Sequence, residues 1–109
     1  KFDISKISFT LQRSGTGIRQ VVLRSGIDDY DANLAASISP LNDHLSVIGN
    51  NVFQVSDATT AAQDGCVVLP GAGFTNISAA ISIRWYGFNA EARGGTFSID
   101  NVKIEGVVR

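Results

Sequence analysis

Residues 97–106 read FSIDNVKIEG. Phe97 and Ile99 alternate with polar neighbours, as one face of a half-buried β-strand requires. Val102 and Ile104 continue the alternation on the opposite parity. Side chains repeat every second residue along a strand, so an uninterrupted strand would send one pair inward and the other outward. One extra residue removes the conflict. A β-bulge at Asp100 and Asn101 predicts Phe97, Ile99, Val102 and Ile104 on the core side, with Ser98, Lys103 and Glu105 toward water. Asp and Asn suit that position, because their short side chains bond the local backbone and tolerate left-handed φ,ψ.

The same alternation recurs upstream. Residues 4–12 place Ile7, Phe9 and Leu11 on one face, and residues 18–24 place Val21 and Leu23 opposite Gln20, Val22 and Arg24. With the glycine-rich RSGTG turn at 13–17 between them, these runs predict an antiparallel hairpin with a longer loop than the tight two-residue kind. Residues 51–55 and 66–69 are further predicted strands. Residues 80–88 set Ile81, Ile83 and Trp85 against Ser82, Arg84, Tyr86 and Phe88. Residues 25–44 read as a long connection with a helical turn near 32–36, and residues 74–78 as a short helical turn or loop. No segment carries the period of a long amphipathic helix. Short strands joined by glycine-rich connections predict an all-β antiparallel β-sandwich, jelly-roll-like, in a single domain over residues 1–109.

Composition narrows the function classes. At 109 residues the chain is one domain, and 44% hydrophobic against 17% charged residues excludes a disordered segment. A net charge of -1 with mixed signs lacks the basic field that nucleic acid requires. No apolar run is long enough for a membrane span. Cys66, the single cysteine, lies in the apolar run CVVL and reads as a buried thiol, which leaves the redox compartment open. The chain opens at Lys1 and contains no Met, which reads as a mature or excised piece of a longer protein.

Three blocks carry a resemblance: FTLQRSGTG with VVLRSGIDDY early, NVFQV centrally, and ISIRWYGFNAE with GGTFSIDNVKIEG at the end. Together they resemble the jelly-roll module of secreted, multidomain bacterial surface proteins. The architecture is similar to carbohydrate-binding jelly rolls and to laminin-G-like or MAM-like sandwiches, where a last strand containing IDN or IDD recurs. The resemblance implies an extracellular or cell-surface location. Similar sequences carry one or two strands before the stretch equivalent to Phe2, so the resemblance implies that this chain lacks an N-terminal edge strand. It also departs at Ile18, where the family often has proline. A missing strand leaves an apolar groove that a strand donor from another chain could fill, so that copies assemble into a filament.

Candidate sites follow. Carbohydrate-binding jelly rolls often hold a structural calcium through an aspartate of the final strand, and Asp100 matches it by resemblance. Asp28, Asp29 and Asp31 form a second acidic group, without the glycine and distal glutamate of an EF-hand loop. Asp100, Asp28 and Asp31 are thus the calcium candidates. Glycan faces combine exposed rings with planar polar groups, and Tyr86 with Arg84 fits that chemistry, with Tyr30 at the edge. The competing reading packs Arg84 along Tyr86 and Phe88 as ordinary sandwich surface. His44, the single histidine, lies in the polar loop PLNDH and offers neither a triad nor a multi-histidine metal site. The sequence therefore reads as a non-enzymatic structural or adhesive module with possible self-association. The alternative is a glycan-binding module of a secreted multidomain enzyme.

Overall fold

A strand with one apolar face needs a second apolar face opposite it, and this chain supplies both from eight strands. The computed structural model describes residues 1–109. The strands are β1 (Phe2–Arg13), β2 (Ile18–Ser25), β3 (Ala36–Ile38), β4 (Leu45–Ile48), β5 (Val52–Val55), β6 (Gln63–Val68), β7 (Ile83–Ala90) and β8 (Phe97–Val108). They form two antiparallel sheets of four, ordered β3-β6-β1-β8 and β4-β5-β2-β7. The pairs β1·β8, β2·β7, β3·β6 and β4·β5 nest inside one another, as in a long ribbon folded back and rolled up. That nesting makes the sandwich jelly-roll-like.

Three local expectations need correction. β1 and β2 do not form a hairpin: they lie in different sheets, so the turn at 13–17 carries the chain across the sandwich. Their apolar faces look at each other across the core instead of lying side by side. β1 itself is an interior strand, flanked by both β6 and β8. The helical turn falls earlier than 32–36, at the 3-10 segment Gly26–Asp28, and Ala36 opens β3. Strand β4 escaped the sequence reading; it turns into β5 through Asn50 and Asn51, both left-handed (φ 63 and 62).

The bulge in β8 exists. Ser8 pairs with Lys103 and Thr10 with Asp100, so two steps along β1 match three along β8. Asn101 takes φ 50, its N–H donates to Asp100 Oδ1 at 2.8 Å, and its Nδ2 donates to Thr10 Oγ1 at 3.2 Å. Ile99 stands across from Leu11 and Ile104 across from Ile7, both partners fully buried, so the parity is restored as the sequence required. A second slip, between Ile4 and Lys6, puts an extra residue in β1.

Burial of that face is where the expectation fails. Val102 and Ile104 are 48% and 53% exposed, and Phe97 is 38% exposed. β8 is an outermost strand, and its opposite number β7 begins only at Ile83. Phe97 is capped, since its ring lies over Gly87, where a Cβ would come within 2.7 Å of it. Near Ile104 there is a groove of about 550 Å³ instead, lined by Phe2, Ile4, Ala80, Ile81, Ile104 and Val108 among others.

The core joins the sheets through Phe9. Its ring meets Phe53 edge-on at 5.4 Å (83°) and Trp85 at 5.8 Å (89°), both from the facing sheet. Ile7, Leu11, Val21, Leu23, Cys66 and Val68 are fully buried around it. Burial, and secondarily the Asp64 charge, push the Cys66 thiol up to about 12. At one end of the sandwich the buried Arg13 side chain pairs with Glu91 and donates to Gly17 O at 3.1 Å. Gly17 is confined there: a Cβ on it would stand 2.2 Å from Thr96 O.

Gly17→Ala is therefore expected to lower stability by about 2 kcal/mol or more, through overpacking against backbone. Gly49→Ala, which meets nothing within 4 Å, is expected to leave the urea midpoint unchanged or slightly raised. Cys66 gives a pH signature. The thiol stays protonated in the fold while the unfolded chain ionises near 9.0, so stability is complete below pH 9.0 and falls as pH rises toward 12. Cys66→Ala abolishes that alkaline slope in denaturation curves recorded across the range.

Candidate functional site

Inward Phe53 and Trp85 dictate what the other face of their sheet displays, because neighbouring residues in a strand point oppositely. The register sets the display in rows. Ser46, Gln54, Gln20 and Phe88 form one row, and the pairs Ile48–Val52 and Val22–Tyr86 lie next to it. Arg24 and Arg84 stand directly opposite each other in a third. Val22 and Val52 floor a shallow hollow of about 480 Å³, rimmed by Arg24, Asn33, Asn50, Tyr86 and Phe88. Both rings are partly open to water, Tyr86 at 38% and Phe88 at 40% exposed.

Loop residues complete the face. After β2, Tyr30 adopts the left-handed region at φ 62, an uncommon conformation for a bulky side chain. Surrounding bonds hold it: Tyr30 N–H donates to Ser25 O at 2.8 Å, and its hydroxyl bonds the Ser82 hydroxyl. Arg24 ties the same loop down, its Nη1 donating to Tyr30 O at 3.1 Å and its Nε to Asn33 Oδ1 at 2.8 Å. Asn33 Nδ2 in turn donates to Asn50 O at 2.8 Å. The Tyr30 ring carries Arg84, whose Cζ lies 3.8 Å from the ring centroid, while Arg24 Cζ lies 5.9 Å from that of Tyr86. A hydrogen bond with the Tyr86 side chain, helped by the nearby Tyr30, Tyr86 and Asp29 groups, holds the Arg84 guanidinium still more firmly charged.

The three residues chosen for a glycan face, Tyr86, Arg84 and Tyr30, therefore meet on one surface. Arg24, Phe88, Asn33 and Asn50 belong with them and were not singled out. For Arg24 and Phe88 the signal was present, since both fall on the outward parity of their strands. Asn33 and Asn50 join through loops, which alternation does not address.

The acidic candidates are not brought together. Asp28 accepts from the Asp31 and Ala32 N–H groups at 3.3 and 3.1 Å, beside β2, whereas Asp100 accepts from Asn101 in the opposite sheet. No group of three or more His, Cys, Asp or Glu side chains converges as cation ligands. Asp28 and Asp100 serve as local backbone acceptors, and Asp31 shares the Asp28 loop, apart from Asp100. His44 is exposed, with the Ser56 and Thr59 hydroxyls each 3.4 Å from Nδ1.

Comparisons with protein-family models, with curated proteins and with solved structures find no match to the chain.

Because Tyr86 stands outside the core, Tyr86→Ala is expected to cost less than about 1 kcal/mol in chemical denaturation. Phe53→Ala, in the same sheet but inward and fully buried, is expected to cost about 3–5 kcal/mol.

Proposed function

We propose that this domain is a non-enzymatic adhesive module of the extracellular type that binds glycan on the outer face of β2 and β7. One observation carries the reading: Tyr86 and Phe88 present partly exposed rings in line with Arg84 along β7, beside Arg24, Asn33 and Gln20. Sugar rings offer C–H faces that stack on aromatics and hydroxyl edges that bond planar amides and guanidinium groups. The face is prearranged, because Arg24, Asn33 and Asn50 already hold one another in a hydrogen-bonded chain, so little side-chain entropy remains to be lost on binding. An open, shallow platform suits retention of a chain, in keeping with adhesion.

A second reading, self-association through strand addition, draws support from the unpaired outer edge of β8 and the uncovered Val102 and Ile104. Two features of the same strand oppose it: the bulge at 101 twists the edge, and Lys103 sets a charge along it. In native gels cast with soluble polysaccharides, a cognate glycan is expected to retard the wild-type chain, with Tyr86→Ala weakening binding by about tenfold or more. No retardation across a broad polysaccharide panel, together with assemblies in size exclusion and electron micrographs, would favour the second reading.

A further inference from the structure

Arg24 and Arg84 are an unusual pair. They oppose each other directly across β2 and β7 on the outward face, where like charges destabilise a sheet. Neither has a carboxylate within ion-pairing distance, although Arg13, Arg19 and Arg109 all do. In the nearest acidic loop the Asp28 carboxylate is turned into its own backbone, and the Asp29 charge acts on Arg84 without forming an ion pair with it. Arg84 in particular lies over a ring instead of beside an acid. A guanidinium covered on its flat side is approached along its edge, the part that grips a carboxylate in bidentate fashion. Tyr86 takes a share of that edge on Arg84, and Asn33 and Tyr30 O take Nε and one Nη1 hydrogen on Arg24.

From this juxtaposition we infer that the face is selective for acidic polysaccharide, a uronate carboxylate docking between Arg24 and Arg84 while the neighbouring sugar stacks on Tyr86. The inference rests on the glycan-binding reading and specifies its ligand class. Arg84, Tyr86 and Phe88 fall in line along about 13 Å of strand, longer than one sugar ring, so the ligand is a chain segment. The anion relieves the repulsion between the two arginines.

The test is isothermal titration of the 109-residue chain with polygalacturonate, with its fully methyl-esterified form, with neutral xylan and with sulfated carrageenan. Polygalacturonate is expected to bind, to lose most of its affinity at high salt, and to bind at least tenfold better than its ester. Arg84→Gln, an exposed position whose melting temperature serves as the folding control, is expected to lose about tenfold for polygalacturonate, with Arg84→Lys recovering part. Preference for carrageenan over polygalacturonate overturns the uronate assignment in favour of a sulfate ester. Binding of xylan and ester as strong as that of the acid, dependent on Tyr86 but not on Arg84, overturns this inference and leaves the glycan-binding reading standing. Unchanged affinity of Arg84→Gln overturns it whichever polymer binds, and no binding to any of the four overturns both.

Discussion

Phe9 reaching from one sheet to Phe53 and Trp85 of the other is the contact on which the remaining arrangement depends. Edge-to-face rings of this kind contribute roughly 0.5–1.5 kcal/mol beyond the area they bury, but their larger effect is geometric. They fix which side of β5 and which side of β7 look inward. Once Trp85 is inside, Arg84, Tyr86 and Phe88 have no choice but the opposite side, and β2 follows by register with Gln20, Val22 and Arg24. The polar-aromatic surface is thus the reverse side of the hydrophobic core. A one-residue slip of β7 would exchange them, placing Arg84 and Tyr86 in the interior.

Alternation made most of this legible in advance. The strands were visible because period two is a local property, and Tyr86 and Arg84 were visible because outward parity is local too. The misplaced bulge-strand residues show the limit. Ile104 does point to the core side, as its pairing with Ile7 requires, yet it stays half uncovered because nothing sits opposite. That depends on β8 being outermost, which is a fact about neighbours distant in sequence. The supposed β1–β2 hairpin failed for the same reason: two adjacent amphipathic strands satisfy the pattern equally well side by side or face to face. β4 was lost by brevity, with only Leu45 of its four residues buried, although Asn50 and Asn51, in the three-residue loop after it, are of the type that favours left-handed backbone.

The ends of the sandwich are held by different chemistry. At one end Arg13 is fully enclosed, and its charge is tolerable only because Glu91 and the Gly17 carbonyl meet it. Its Nε and Nη1 remain without partners, as does Trp85 Nε1. At the other end Arg109 bonds Asp3 at 2.7 Å, and that bond, with the Asn76 N–H, keeps the Asp3 carboxyl below its usual range. This second pair is at the surface, where water and salt screen it, and it adds little to stability. The enclosed pair therefore governs the corner through which the chain changes sheets.

The nested ribbon has a kinetic meaning. β4 and β5 are joined by a tight turn and can zip first, whereas β1 and β8 bring together residues 2 and 108, nearly the full length of the chain. Closing that outermost pair early would impose the largest loop entropy before any contact compensates it. Loop entropy therefore favours pairing from the tip of the ribbon toward its open ends. The strand whose pairing spans the longest loop is also an outermost one, and its bulge and Lys103 are the features that guard its open edge.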